Sequence, residues 1–279
     1  MLDDVIGYLC CPYCGGELEP SGASVRCPAG HCFDVARQGY VSLLAGDARG
    51  DLGDSAAMVA AREEFLGGGH FAPIVDAAAT ACAAAAGRVE GCIVDLGAGI
   101  GHYLAAALEA LPDRVGLALD ASKWAARRAA RAHQRIGAVV CDAWRPLPVR
   151  DGAAAVVLSV FAPRDGAEIA RVLAPGGALV LVTPTGRHLA ELVGALDLLT
   201  VDARKDERLE QKLGPFLEPA DAERVEFVMR LEQDAAAALA AMGPSARHTN
   251  PAGLRERVAA MPDPLAVTAS VAVAAWRAR

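Results

Sequence analysis

The sequence predicts an α/β protein, with a mostly parallel sheet covered by helices on both faces and a small zinc-binding module at the N-terminus. Three observations carry this. Short apolar runs alternate with helical stretches from Cys92 to Leu199, the pattern of parallel strands joined by crossover helices. A glycine-rich turn, D-x-G-x-G-x-G over 95–101, stands where the first of these strands would end. The stretch CCPYCGGELEPSGASVRCPAGHC, from Cys10 to Cys32, packs five cysteines and one histidine into a segment with little else to form a core.

The N-terminal module follows from ligand spacing. Cys11, Cys14, Cys27 and His31 read C-x2-C-x12-C-x3-H, in which two tight knuckles each offer two ligands to a tetrahedral ion. About 30 residues cannot stabilise themselves by burial, whereas a structural zinc supplies roughly 10–16 kcal/mol of apparent binding energy near neutral pH. Four protein ligands leave no open position, so the ion is expected to be structural. Cys10 and Cys32 sit beside Cys11 and His31 and could substitute for them, the two replacements together making a four-cysteine site.

A polar connection over 44–54 reads as a loop. Ser55 then N-caps a helix through Phe65 that stops at Gly67 to Gly69, and an alanine-rich helix runs from Phe71 to Ala86 and ends at Gly87. Strands follow at 92–96, 115–119, 138–141, 154–160 and 178–182, with helices at about 102–111, 123–132, 167–173 and 188–199. Alternation over 223–231 and a β-rich run over 265–276 predict two late strands added antiparallel at the sheet edge, with helices at 234–241 and 251–260 between them.

The chain has 279 residues, 53% of them hydrophobic, enough for one full core plus a small appendage. MLDDVIGYLC lacks the basic flank and long apolar run of a signal peptide, and no stretch is long and apolar enough to span a bilayer. A cytoplasmic location is therefore expected, where the eight cysteines stay reduced.

At the turn after Asp95, a dinucleotide-binding fingerprint would need glycine at 102, which is His102. The pattern leans away from NAD. Asp120 ends the second strand, where a carboxylate can take ribose hydroxyls; Cys141-Asp142-Ala143 ends the third; and Leu173-Ala174-Pro175-Gly176-Gly177 precedes the fifth. Together these residues resemble the class I S-adenosylmethionine-dependent methyltransferases over roughly residues 90 to 185. That resemblance implies a Rossmann-like, mostly parallel seven-stranded sheet. It also implies a cofactor site with Asp95, Gly97, Gly99, Ile100 and Gly101 against the methionine part, Asp120 on ribose and Asp142 by the adenine.

The whole chain resembles a narrower group. The cysteine-histidine clip, Phe33 to Val41, Gly68-Gly69-His70-Phe71, Phe161-Ala162-Pro163, Thr183-Pro184 with His188-Leu189, and Met242-Gly243-Pro244-Ser245 look like the 23S rRNA guanine-N1 methyltransferases. The nearest branch is the one that confers resistance to tylosin and mycinamicin. The resemblance implies methylation of a hairpin-loop guanine near the peptide exit tunnel, one structural zinc, S-adenosylmethionine as donor, and a homodimer. It adds Phe71, where relatives often carry tyrosine, and His188 to the cofactor contacts. It divides the chain into a zinc-binding RNA-recognition domain, 1–38, and a methyltransferase domain, 39–279, with a helical lead-in at 55–87. The alternative is a zinc-bearing methyltransferase of a small metabolite.

A formal net charge of −7 argues against nucleic acid as a partner, yet its distribution does not. Lys123, Arg127, Arg128, Arg131 and Arg135 have no acid between them and would cover about 140° of one helix face. Arg127, Arg128 and Arg131 are thus candidate RNA contacts, and Phe161 is a candidate platform for the target base. Asp165 is considered as the acceptor of the guanine N1 proton without being assigned, and His248 as a residue at the RNA entrance or simply a surface histidine.

Overall fold

The computed structural model describes residues 2–44, 53–162, 165–196, 205–247 and 251–278. Most of the 44–54 connection, the end of the helix expected to reach Leu199, and Pro163, Arg164 and His248 lie outside them. The chain starts with a short helix, α1 (Leu2–Val5), and a 3-10 turn, Ile6–Tyr8. The cysteine-rich stretch then forms a three-stranded antiparallel ribbon of β1 (Glu19–Ser21), β2 (Ser24–Arg26) and β3 (Cys32–Asp34). These strands are too short for periodicity to have shown them. After the ribbon comes β4 (Tyr40–Ser42).

Helix α2 (Ala56–Gly67) begins where Ser55 Oγ accepts the Met58 N–H at 3.2 Å, and α3 (Ala72–Ala86) ends at Gly87 with φ of 46°. The alternating body follows: β5 (Cys92–Leu96), α4 (His102–Ala110), β6 (Gly116–Asp120), α5 (Lys123–Ala132), β7 (Ile136–Val140), β8 (Ala154–Val160), α6 (Gly166–Val172), β9 (Leu173–Pro184) and α7 (Ala190–Leu196). Next come α8 (Lys205–Leu213), which sequence patterning did not reveal, then β10 (Leu217–Leu231), α9 (Gln233–Met242), α10 (Pro251–Ala259) and β11 (Leu265–Ala278). The sheet order is β10-β11-β9-β8-β5-β6-β7-β4. As expected, β11 runs antiparallel to both β9 and β10. Among the described residues the sheet has eight strands, one more than the seven expected. The eighth, β4, pairs in parallel with β7 from Tyr40 opposite Ala138 to Ser42 opposite Val140.

Helices α3, α4 and α5 cover one face, burying Ala78, Leu104 and Ala126 against Ile93, Val156 and Val180. The other face is covered less conventionally. No helix connects β7 to β8, and the space such a crossover would fill is taken by the N-terminal residues Leu2, Val5, Ile6 and Leu9, packed with Leu117, Val139 and Val149. The register is fixed by backbone bonds: Cys10 N–H to Pro148 O at 3.1 Å and Arg150 N–H to Tyr8 O at 2.9 Å. A β-carbon at Gly137 would collide with Val5. Leu9 is fully buried, and each such leucine stabilises by about 1.5–3 kcal/mol. Ribbon residues Leu18, Val25 and Phe33 join the same core, so ribbon and sheet share one apolar interior. Among the described residues, no helix is long and apolar enough to cross a membrane.

Candidate functional site

A cavity of about 780 Å³ opens where β5, β6 and β7 end, the usual place for a ligand in an open α/β sheet. The sequence-predicted residues Phe71, Asp95, Gly97, Gly99, Ile100, Asp120, Asp142, His188 and Phe161 all line it. Gly101 does not. It caps α4 with φ of 78°, and a β-carbon there would come within 3.1 Å of Ala129 Cα, so its absent side chain serves the close approach of α4 and α5. Gly97 is different. At φ of 74° its β-carbon would lie 2.5 Å from that of Ala162, inside the space between the two loops that shape the cavity.

The first N–H groups of the glycine turn have partners within the protein. Gly97 and Ala98 donate to Leu119 O at 2.8 and 3.0 Å, and Gly99 donates to Asp120 Oδ2 at 2.8 Å. The loop therefore admits a ligand by lacking side chains, while its donors tie it to the end of β6. Asp120 is held further by the Ser122 N–H on Oδ1 at 2.7 Å. Burial raises its pKa against the pull of these two bonds.

Asp95 is the unusual acid. It is 2% exposed, and burial first, then the neighbouring Asp120, push its pKa to about 8. Nearby, the buried Tyr103 hydroxyl has no hydrogen-bond partner among the described residues. Buried polar groups are rarely left so, and both residues line the cavity. A ligand carrying a cation and hydrogen-bonding groups would complete them. Arg62 of α2 borders the loop as well, bridging Asp54 Oδ2 at 2.5 Å and Met242 O at 2.9 Å. Neither Arg62 nor Tyr103 had a signal in the sequence, since each sits in an ordinary helical pattern and becomes polar lining only through the fold.

The far rim is strained. Phe161 and Leu189, with φ of 54° and 56°, are the only non-glycine residues at positive φ among the described residues, and both line the cavity. Such backbone persists where surrounding structure enforces it and clusters at ligand sites. Phe161 is 41% exposed and so is not a core residue. The His188 ring lies 5.4 Å from Phe161 and 5.9 Å from Phe71, and its Nδ1 accepts the Ser270 N–H at 3.1 Å. In the neutral ring the proton is thereby fixed on Nε2. Trp144, 68% exposed, stands beside Asp142 on the opposite wall. Asp165, the acid after the Phe161 loop, caps α6 instead, its Oδ1 accepting from Ala167 and Glu168 at 2.9 and 3.1 Å.

In the ribbon, the side-chain donors of Cys11, Cys14, Cys27 and His31 lie within 4.8 Å of one another. Cys14 and Cys27 sulfurs are 3.7 Å apart, and His31 Nδ1 is 3.5 Å from Cys11 and 3.3 Å from Cys27. A tetrahedral zinc with its usual bond lengths would space such ligands roughly 3.5–3.8 Å apart, so the set fits that ion. Cys10 and Cys32 are not part of the cluster.

The basic stripe is shorter than the sequence suggested, because α5 ends at Ala132. Arg135 turns inward and donates to Leu111 O, Arg114 O and Leu108 O at 2.5–2.7 Å, closing the end of α4. Arg128 pairs with Glu63 at 2.9 Å.

The point at which strand order reverses, between β5 and β8, puts a glycine turn and successive strand-end acids around a single cavity, and this arrangement is that of a class I S-adenosylmethionine-dependent methyltransferase, here preceded by a zinc ribbon. Comparison with known proteins bears out both parts. The zinc-ribbon family described as RlmA, N-terminal, matches residues 9–48, and a methyltransferase-domain family matches 93–177. The chain is 50% identical to a 23S rRNA (guanine-N(1)-)-methyltransferase of Micromonospora griseorubida, over 99% of each chain. It is 49% identical to the 23S rRNA (guanine(748)-N(1))-methyltransferase of Streptomyces fradiae, over 97% of each. The crystal structure of the YcgJ protein from Bacillus subtilis shares the fold, with a TM-score of 0.50 at 15% identity, covering 72% of this chain and 97% of that one. The protein belongs to the 23S rRNA guanine-N1 methyltransferase family.

Proposed function

We propose that the protein methylates N1 of a hairpin-loop guanine in 23S rRNA near the peptide exit tunnel, and that this confers resistance to macrolides of the tylosin and mycinamicin type. The supporting observation is near half identity to rRNA guanine-N1 methyltransferases along essentially the full chain, ribbon included. When bound, S-adenosylmethionine supplies an already activated methyl group. The chain's task is then positioning, which can provide roughly 7–11 kcal/mol. Asp95 would face the donor's ammonium, Asp120 its ribose, and Asp142 its adenine, with Phe71, Gly97, Gly99, Ile100 and His188 shaping the cradle. Phe161 presents an exposed ring held by strained backbone, suited to stacking a guanine turned out of its loop at a cost of a few kcal/mol.

On this reading 1–38 is the RNA-recognition domain and 39–279 the methyltransferase domain, acting in the cytoplasm as a homodimer. Because Leu2 to Leu9 complete the core of the larger domain, the division is functional and does not mark a point at which the chain can be cut. The test is transfer of isotope-labelled methyl to ribosomal RNA from a strain lacking the modification, with mass mapping of the product. Label on N1 of one loop guanine is expected. Label found only on a small metabolite would favour the alternative substrate.

A further inference from the structure

A second cavity, of about 600 Å³, lies between α2, the start of α4 and α5. Trp124, Arg127, Arg128 and Arg131 form its α5 wall, facing Glu63 and His102. We infer that this groove seats a nucleotide of the RNA that lies outside the donor cavity, with its base stacked on the Trp124 indole and its flanking phosphates on Arg127 and Arg131. The inference rests on the reading of the substrate as folded RNA.

The charge pattern selects the occupant. Helix α5 reads KWAARRAARA, with no carboxylate of its own. Glu63 neutralises Arg128, but among the described residues no carboxylate pairs with Arg127 or Arg131. Arg127 is half-buried as a residue, and a guanidinium without a carboxylate partner is suited to receive an anion. The indole of Trp124 is 38% exposed, and the Lys123 ammonium sits 5.2 Å from its centroid. An aromatic ring among unpaired arginines is the combination that holds single-stranded nucleic acid, where stacking tolerates any base and cations track the backbone. A protein partner would instead need a broad apolar surface, and the groove's apolar wall is limited to this ring, Ile100 and three alanines.

Location supports the same occupant. Helix α5 packs against β4, the strand that leaves the ribbon, and a β-carbon on Gly39 would lie 3.8 Å from that of Ala130. Toward the other side, Ile100 and His102 line both this groove and the donor cavity. The basic helix therefore borders both the strand that follows the ribbon and, through Ile100 and His102, the donor cavity.

The test compares the full-length, zinc-replete protein with Arg127→Glu/Arg131→Glu, Trp124→Ala and Trp124→Phe. The probe is a transcript of the 23S rRNA hairpin, read by affinity across a salt series and by KM and kcat. S-adenosylhomocysteine affinity serves as a control for folding. Reversal of the two arginines should weaken RNA binding about tenfold or more and flatten the slope of log K against log salt by about 1.5, since each phosphate contact contributes roughly 0.7–0.9. Trp124→Ala should raise KM for RNA about tenfold with kcat little changed, Trp124→Phe should restore it, and S-adenosylhomocysteine affinity should stay within about twofold. Unchanged RNA affinity and salt slope would overturn the inference, as would a parallel loss of S-adenosylhomocysteine affinity, which would assign these residues to packing. A wild-type protein that methylates no RNA would instead refute the functional reading on which the groove depends.

Discussion

Asp95 carries the most specific chemistry available to a single side chain here. Its carboxyl is buried beside Asp120, with a pKa of about 8 against about 3.9 in an unfolded chain. Between these values the folded state binds more protons than the unfolded one, so this group lowers stability as pH rises from about 4 to about 8. Asp95→Asn should remove that slope, and thermal melts should show the variant gaining on the wild type at pH 8 relative to pH 5. The same replacement should weaken S-adenosylmethionine binding by a factor on the order of 10 or more, because a donor ammonium loses the carboxyl group that could ionise against it. Equal gains at both pH values would mean that Asp95 is ionised in the folded protein. Asp95 was legible in the sequence because D-x-G-x-G-x-G fixes it at a strand end. Arg62 and Tyr103 were not, since their roles depend on α2 and α4 being folded against that turn.

The elements that sequence reading placed well are those with local signals. Helix α5 and strands β5 and β8 lie at the expected residues, bounded by Ser122 as an N-cap and by polar or glycine turns. The strands β1 to β4 are three residues each and owe their pairing to ribbon geometry and to β7, distant in sequence, so no local pattern announces them. Helix α8, KDERLEQKL, is strongly polar, and Leu209 and Leu213 are its only apolar residues, too short a stripe to single it out. The ribbon gives this scale its prediction. Cys14→Ala should abolish stoichiometric zinc and Cys10→Ala should leave it intact, as metal analysis of purified protein would show. Because Leu18, Val25 and Phe33 share a core with the sheet, loss of the ion should also lower the melting temperature of the whole molecule. Retained zinc in the Cys14 variant with loss in the Cys10 variant would shift the ligand register by one.

For the molecule as a whole, the ribbon answers two needs. It offers a rigid, metal-fixed surface joined to α5 through β4, and its preceding residues roof the sheet face that the helix-free β7 to β8 connection leaves open. The net charge of −7 is reconciled with an RNA substrate by placing the unpaired arginines on one helix flank. All of this presupposes a donor seated at the ends of β5, β6 and β7. Calorimetry of S-adenosylhomocysteine against zinc-replete wild-type protein and Gly97→Ala tests that most directly. One site per chain is predicted for the wild type, and loss of binding for the variant, whose new methyl group would occupy the space against Ala162. No binding by the wild type, or equal binding by both proteins, would contradict the account.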